Sequence, residues 1–220
     1  MKQSAPYAVI GLGVLVMAGI AWWFGFRNAE EEVPAPAPQA PAIELSEGLS
    51  IYTNGEDGFL LTYPEGARVS ETFMTHRLPE SWSVTSGSQG TPLVEITTYE
   101  VRNETTYPRD YTVVLRIGKS TDQSDVASCI ETREQEVQIE DRVIGDTTFS
   151  AYSFGDAAMM QYVNAISYRT KYKEACWAIE AVRTGSSYRD TPSSADIAED
   201  VLDAEFNRLQ MVVDSFRFVR

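Results

Sequence analysis

Residues 147–182 read TTFSAYSFGDAAMMQYVNAISYRTKYKEACWAIEAV. Aromatic and β-branched side chains crowd three parts of this stretch, which predicts strands over 147–154, 166–172 and 176–183. Between the first two, GDAAMMQYV at 155–163 reads as a turn or a short helix. Upstream, LSIYT at 49–53 and FLLTY at 59–63 are strand-like, and Asn54-Gly55 and Asp57-Gly58 between them are turn chemistry. Pro64 and Gly66 close the second of these, and residues 67–73 start a third. Further strands are predicted over 93–101, 112–117 (TVVLRI) and 135–144. The polar stretch 75–90 reads as a loop.

Downstream the period changes. Leu202, Phe206, Leu209 and Val213 fall at i, i+4, i+7 and i+11, one apolar face of a helix. Its early acids and later Arg208 match the helix dipole. SFRFV at 215–219 then alternates Phe216 and Phe218 with Arg217, the period of a closing strand that ties this end into the core. The expected class is α+β, an antiparallel sheet packed by the C-terminal helix.

At the start of the chain, YAVIGLGVLVMAGIAWWFGF at 7–26 carries no charge. Twenty residues at about 1.5 Å each make a helix of roughly 30 Å, the thickness of a bilayer's hydrocarbon core. Tyr7, Trp22 and Trp23 stand where interfacial rings prefer to sit. The run is longer than the apolar part of a signal peptide, and bulky rings rather than small residues close it. The reading is an uncleaved anchor with the rest of the chain outside the cytoplasm. NAEEEVPAPAPQAPA at 28–42 follows, whose prolines favour an extended spacer that reaches roughly 45 Å. The expected organisation is a cytoplasmic tip and transmembrane anchor over 1–27, a Pro/Ala/Glu-rich linker over 28–43, and one extracytoplasmic domain over 44–220.

The chain carries 18 basic and 32 acidic residues, a net −14. Leaving aside Lys2 and Arg27 gives 16 basic against 32 acidic for the remainder, a net −16. Such a surface repels nucleic acid and anionic lipid. His76 is the sole histidine, which excludes a His-rich metal site and most nucleophile–histidine schemes. No nucleotide-binding, nucleophile-elbow or metalloprotease motif occurs. No catalytic, cofactor-binding or metal-ligating residue is assigned, and no cofactor is expected. TNGEDG at 53–58 fails the EF-hand spacing. Asp190, Asp196, Glu199, Asp200 and Asp203 gather at the start of the last helix, where dipole matching and solubility account for them. Asn103-Glu104-Thr105 matches the glycosylation triplet. The many tyrosines fill sheet faces with their hydroxyls at the rim.

Cys129 and Cys176 are the only cysteines. In an oxidising compartment they form a disulfide that closes a loop worth roughly 4 kcal/mol by chain entropy. Two separate buried thiols are the other reading.

Three segments carry a resemblance. IYTNGEDGFLLTYPEG at 51–66 resembles the opening of PsbP-like domains. TTFSAYSFGDAAMMQYVNAISYRTKYKEACWAIEAV is similar to a module of single-pass anchored extracytoplasmic proteins of small-genome bacteria. FNRLQMVVDSFRFV at 206–219 resembles the closing helix and strand. The resemblance implies an α/β sandwich around an antiparallel sheet, with a disulfide between Cys176 and an upstream cysteine, a role that suits Cys129. PsbP-like relatives serve as binding or assembly subunits.

The expected function is a membrane-anchored extracytoplasmic binding or assembly module without catalysis, held to the membrane by its N-terminal helix and joined to an envelope protein partner. The alternative is an extracytoplasmic hydrolase that uses carboxylates. It requires a concave pocket with two facing acids of shifted pKa.

Overall fold

The computed structural model describes residues 47–75, 78–80, 82, 90–103, 109–187, 192–194 and 196–219. The anchor and linker expectations, His76, most of the 75–90 loop, and Glu104 and Thr105 of the glycosylation triplet lie outside them. Among the described residues no helix is long and apolar enough to cross a membrane.

Ten strands and two helices are described. Strands β1 (Leu49–Asn54) and β2 (Phe59–Pro64) form a hairpin. The short β3 (Arg68–Ser70) leads to the long β4 (Thr91–Asn103) and β5 (Arg109–Ser120). Helix α1 (Gln123–Ala127) is one turn, capped by the Asp122 carboxylate, which accepts from the Ser124 amide at 2.8 Å. Then β6 (Glu136–Ile144), β7 (Thr147–Ala158), β8 (Gln161–Tyr172) and β9 (Ala175–Ser186) follow as a meander. Helix α2 (Glu199–Ser215) and β10 (Arg217–Phe218) close the fold.

All strand pairs are antiparallel, in a seven-stranded sheet of order β3-β4-β5-β9-β8-β7-β6 and a three-stranded sheet of order β1-β2-β10. The α+β reading holds. The predicted strands all form, and most run longer than predicted. The 155–163 reading needs correction. β7 runs through Ala158 and β8 begins at Gln161, so the turn is Met159-Met160 alone, both at positive φ. No helix forms there.

Directly opposed residues share a face, so the register sorts the large sheet into two sides. On the helix face, Val113, Leu115 and Ile117 of β5 stand beside Arg183, Ala181 and Ile179 of β9. Helix α2 covers this side with Leu202, Leu209, Val212 and Val213 buried. The three-stranded sheet joins the same core through rings: Phe59 lies 5.8 Å from Trp177, and Phe218 stacks on Tyr172 at 3.7 Å. The second side carries Cys176 and Ala178, with Phe73, Trp82 and Cys129 packed over them. We call it the cysteine face. β9, at the centre, is buried on both faces, which explains its nearly continuous apolar run.

Candidate functional site

Cys129 and Cys176 form a disulfide, with Cα atoms 5.5 Å apart and both residues fully buried. Helix α1 delivers Cys129 to the sheet, where Cys176 stands second in the central strand, opposite Lys171 of β8. The bridge settles the choice left open by the sequence.

Beside the bridge, the cysteine face carries charges in the middle of strands. Cross-strand register sets Glu95 of β4, Arg116 of β5 and Glu180 of β9 in a row, and Ser167 of β8 and Tyr152 of β7 extend it. Arg116 is 3% exposed. Its Nε lies 3.9 Å from Glu95 Oε2 and its Nη1 3.9 Å from Glu180 Oε2. Nη2 donates to the Pro79 carbonyl, and the guanidinium lies 3.9 Å from the centre of the Phe73 ring. Burial holds Arg116 below the usual arginine range, and the two glutamates work against that. Glu95 also accepts from the Met74 and Thr75 amides at 3.1 and 3.2 Å. Glu180 accepts from Trp82 Nε1 at 3.0 Å.

A second group stands nearer the β6 edge. Arg169 is fully buried, 3.8 Å above the Tyr152 ring, and donates to Glu136 Oε2 at 2.6 Å. Arg133 donates to the other oxygen of Glu136 at 2.7 Å. Burial alone opposes ionisation of Glu136. Hydrogen bonds from the Arg133 side chain and backbone, with the charges of Arg133 and Arg169, outweigh it and hold the carboxyl below its usual range.

Between the two groups lies a groove of about 380 Å³. Phe154, Val163, Ala165 and Val182 form its floor, and Leu78, Pro79 and Trp82 form one wall. Trp82 sits close because β5 has a glycine below it. A Cβ on Gly118 would stand 2.8 Å from Trp82 Cβ. The groove is thus a largely apolar trough with ion-paired charges at its ends and the exposed Glu134 beside them. Such a lining binds and orients. A hydrolytic acid needs a raised pKa, whereas Glu136 moves the other way.

On the helix face, near the β7–β8 hairpin, a second concavity of about 500 Å³ is lined by Gly155, Asp156, Ala157, Tyr162, Asn164 and Arg183, among others. Burial pushes the Tyr162 hydroxyl up to about 12; Arg183 opposes this, while Glu199 and Asp203 add to it. Arg183 pairs with Glu199 at 3.0 Å and Asp203 at 2.6 Å. Asp196 pairs with the buried Arg109 at 2.6 Å. These three acids at the start of α2 are therefore fastened to the sheet, beyond the dipole matching expected of them. Asp190 lies outside the described residues. In TNGEDG, Asn54 Oδ1 accepts from the Asp57 amide at 2.8 Å and Asp57 pairs with Lys119, so the loop is a closed turn.

Sequence reasoning missed Arg116, Arg169, Glu136 and Trp82. A signal existed for the arginines, a charge in the middle of TVVLRI and of ISYRTK. Their partners depend on strand register, which that signal does not carry. Trp82 stands in a mostly polar stretch that reads as a loop.

No family model matches the sequence, and no curated protein matches it. Among solved structures, the chain is similar to LpqN of Mycobacterium tuberculosis, a protein involved in cell envelope biogenesis, with a TM-score of 0.40 and 11% identity over 78% of this chain and 91% of that one. It is also similar to the cyanobacterial PsbP (CyanoP) of Synechocystis sp. PCC 6803, with a TM-score of 0.37 and 14% identity over 84% of this chain and 99% of that one.

Proposed function

We propose that the chain is a single-pass anchored, extracytoplasmic binding or assembly module that works without catalysis. The observation that carries the reading is the buried Cys129–Cys176 disulfide, a bond that persists where thiols are not kept reduced. The uncharged run at 7–26 supports the anchor, with the Pro-rich spacer behind it. The groove on the cysteine face supports binding rather than hydrolysis, because its buried charges Arg116, Glu180, Glu136 and Arg169 are ion-paired and Glu136 holds its proton less tightly than an ordinary glutamate. An envelope protein is the proposed partner.

Topology is tested in spheroplasts with a tag at the C-terminus. External protease is expected to remove the tag while the chain stays with membranes through a carbonate wash. A tag protected until the membrane is lysed, or a chain released by the wash, overturns the reading.

A further inference from the structure

We propose that the groove on the cysteine face holds a small uncharged molecule, its apolar body on the strand floor and its carbonyl oxygen among the arginine and serine donors at the inner end.

Donors without acceptors gather on this face. Arg169 is fully buried and its Nη2 is taken by Glu136, but its Nε and Nη1 meet no acceptor among the described residues. Arg116 Nε is also unbonded, because Glu95 at 3.9 Å stands beyond hydrogen-bond range. The buried Ser167 hydroxyl has no partner either. Buried polar groups are bonded as a rule, so each exception calls for a reason. Here the exceptions share a place. Ser167 stands opposite Glu180 on one side and Tyr152 on the other, in the row next to the groove floor of Val182, Ala165 and Phe154. The Arg169 side chain runs across the Tyr152 ring to Glu136, which lines the groove, so its guanidinium lies at the same end. Arg116 lines the groove as well. One end therefore presents N–H and O–H groups, and Ala165 and Val163 lead away from it along β8 as apolar surface.

The charges choose the class of occupant. Arg116 and its two glutamates, and Glu136 and its two arginines, set three cations against three anions. An anion brought among them adds a charge that nothing balances, and the exposed Glu134 at the rim repels it. A cation offers only more donors to a place whose arginines already have donors to spare. A neutral acceptor meets those donors and leaves the ion pairs intact. A carbonyl oxygen suits the excess best, since it brings two lone pairs and no proton of its own, whereas a hydroxyl brings a further donor. The volume of about 380 Å³ and the mainly apolar lining fall within the range of small-molecule pockets.

The proposal rests on the binding reading of this groove and names the ligand class. The spheroplast result concerns location alone, so the two fail separately. The test uses the full chain in phosphatidylcholine nanodiscs with isotopically heavy benzophenone, an uncharged apolar ketone that labels neighbouring C–H bonds under light. Peptide mass spectrometry is expected to find the label on Val163, Ala165 or Val182. Unlabelled benzophenone should displace it, and diphenylmethane, which has CH₂ in place of the carbonyl, should do so about tenfold more weakly or worse. Benzoylbenzoate, the anionic analogue, should label the floor about tenfold less. Ala165→Phe fills the floor and should remove the label there. Ser167→Ala takes away an unpartnered hydroxyl, so it should leave the melting temperature unchanged or higher while labelling falls about threefold or more. A floor without label, equal displacement by diphenylmethane, labelling by benzoylbenzoate as strong as by benzophenone, or native labelling in Ser167→Ala overturns the proposal. Equal displacement shows a merely apolar trough whose donors are served by water, and strong benzoylbenzoate labelling shows an anion site.

Discussion

Glu136 shows at the scale of one residue how burial and pairing compete. Its side chain is 3% exposed and held between Arg133 and Arg169. Desolvation penalises each charge, and removing one partner leaves the others buried and uncompensated. Glu136→Gln is therefore expected to cost about 3 kcal/mol at neutral pH. The sign with pH follows from the lowered pKa. The folded value lies below the ordinary value of about 4.3, so the contribution is fully present above that pH. It is lost as pH falls through the lowered folded value. Urea unfolding at neutral and acid pH should show the native–variant gap shrink toward acid, and a gap constant across pH contradicts the assignment.

Elements differ in how plainly their sequences announce them. The branched and aromatic runs of β5 and β9 were legible because these central strands are buried on both faces, and the apolar spacing of α2 because its burial repeats at the helix period. The hairpin turn between β7 and β8 was not. A two-residue turn with both φ values positive favours Asn followed by Gly, and here Met159 and Met160 hold φ of 49° and 63°. Neither residue signals a turn, so the stretch around them read as a longer turn or a helix. Left-handed conformation costs a side-chain-bearing residue about 1 kcal/mol or more. The double substitution Met159→Asn with Met160→Gly is expected to raise the melting temperature by about 2–4 °C. A thermal melt by circular dichroism checks it, and an unchanged or lower midpoint shows that the tip is not strained.

Across the whole molecule, the disulfide fastens α1 and its following loop to the central strand. Phe73 and Trp82 pack in the same cluster, so the bond also seats the wall of the groove. Replacing both Cys129 and Cys176 with Ser is expected to cost about 2–5 kcal/mol. The urea midpoint should fall and tryptophan emission shift to the red before global unfolding. Alkylation of the native chain without reductant should label neither cysteine. The class and the bridge were legible from the sequence because they depend on local pattern and residue count. The groove was not, since Arg116 and Glu180 meet only through the pairing of β5 with β9, strands separated by more than fifty positions along the chain.

Phe216 and β10 seal Phe59 of β2, from the opposite end of the folded part. A ribosome or a narrow conduit releases residues 59–61 long before 216–218. Until the tail arrives, β2 has only β1 beside it, and the Phe59 ring meets Tyr52 and Trp177 but lacks the stacked ring of Phe216. The closing contact of this hairpin therefore waits on residues 216–218, whatever else of the sheet has already formed.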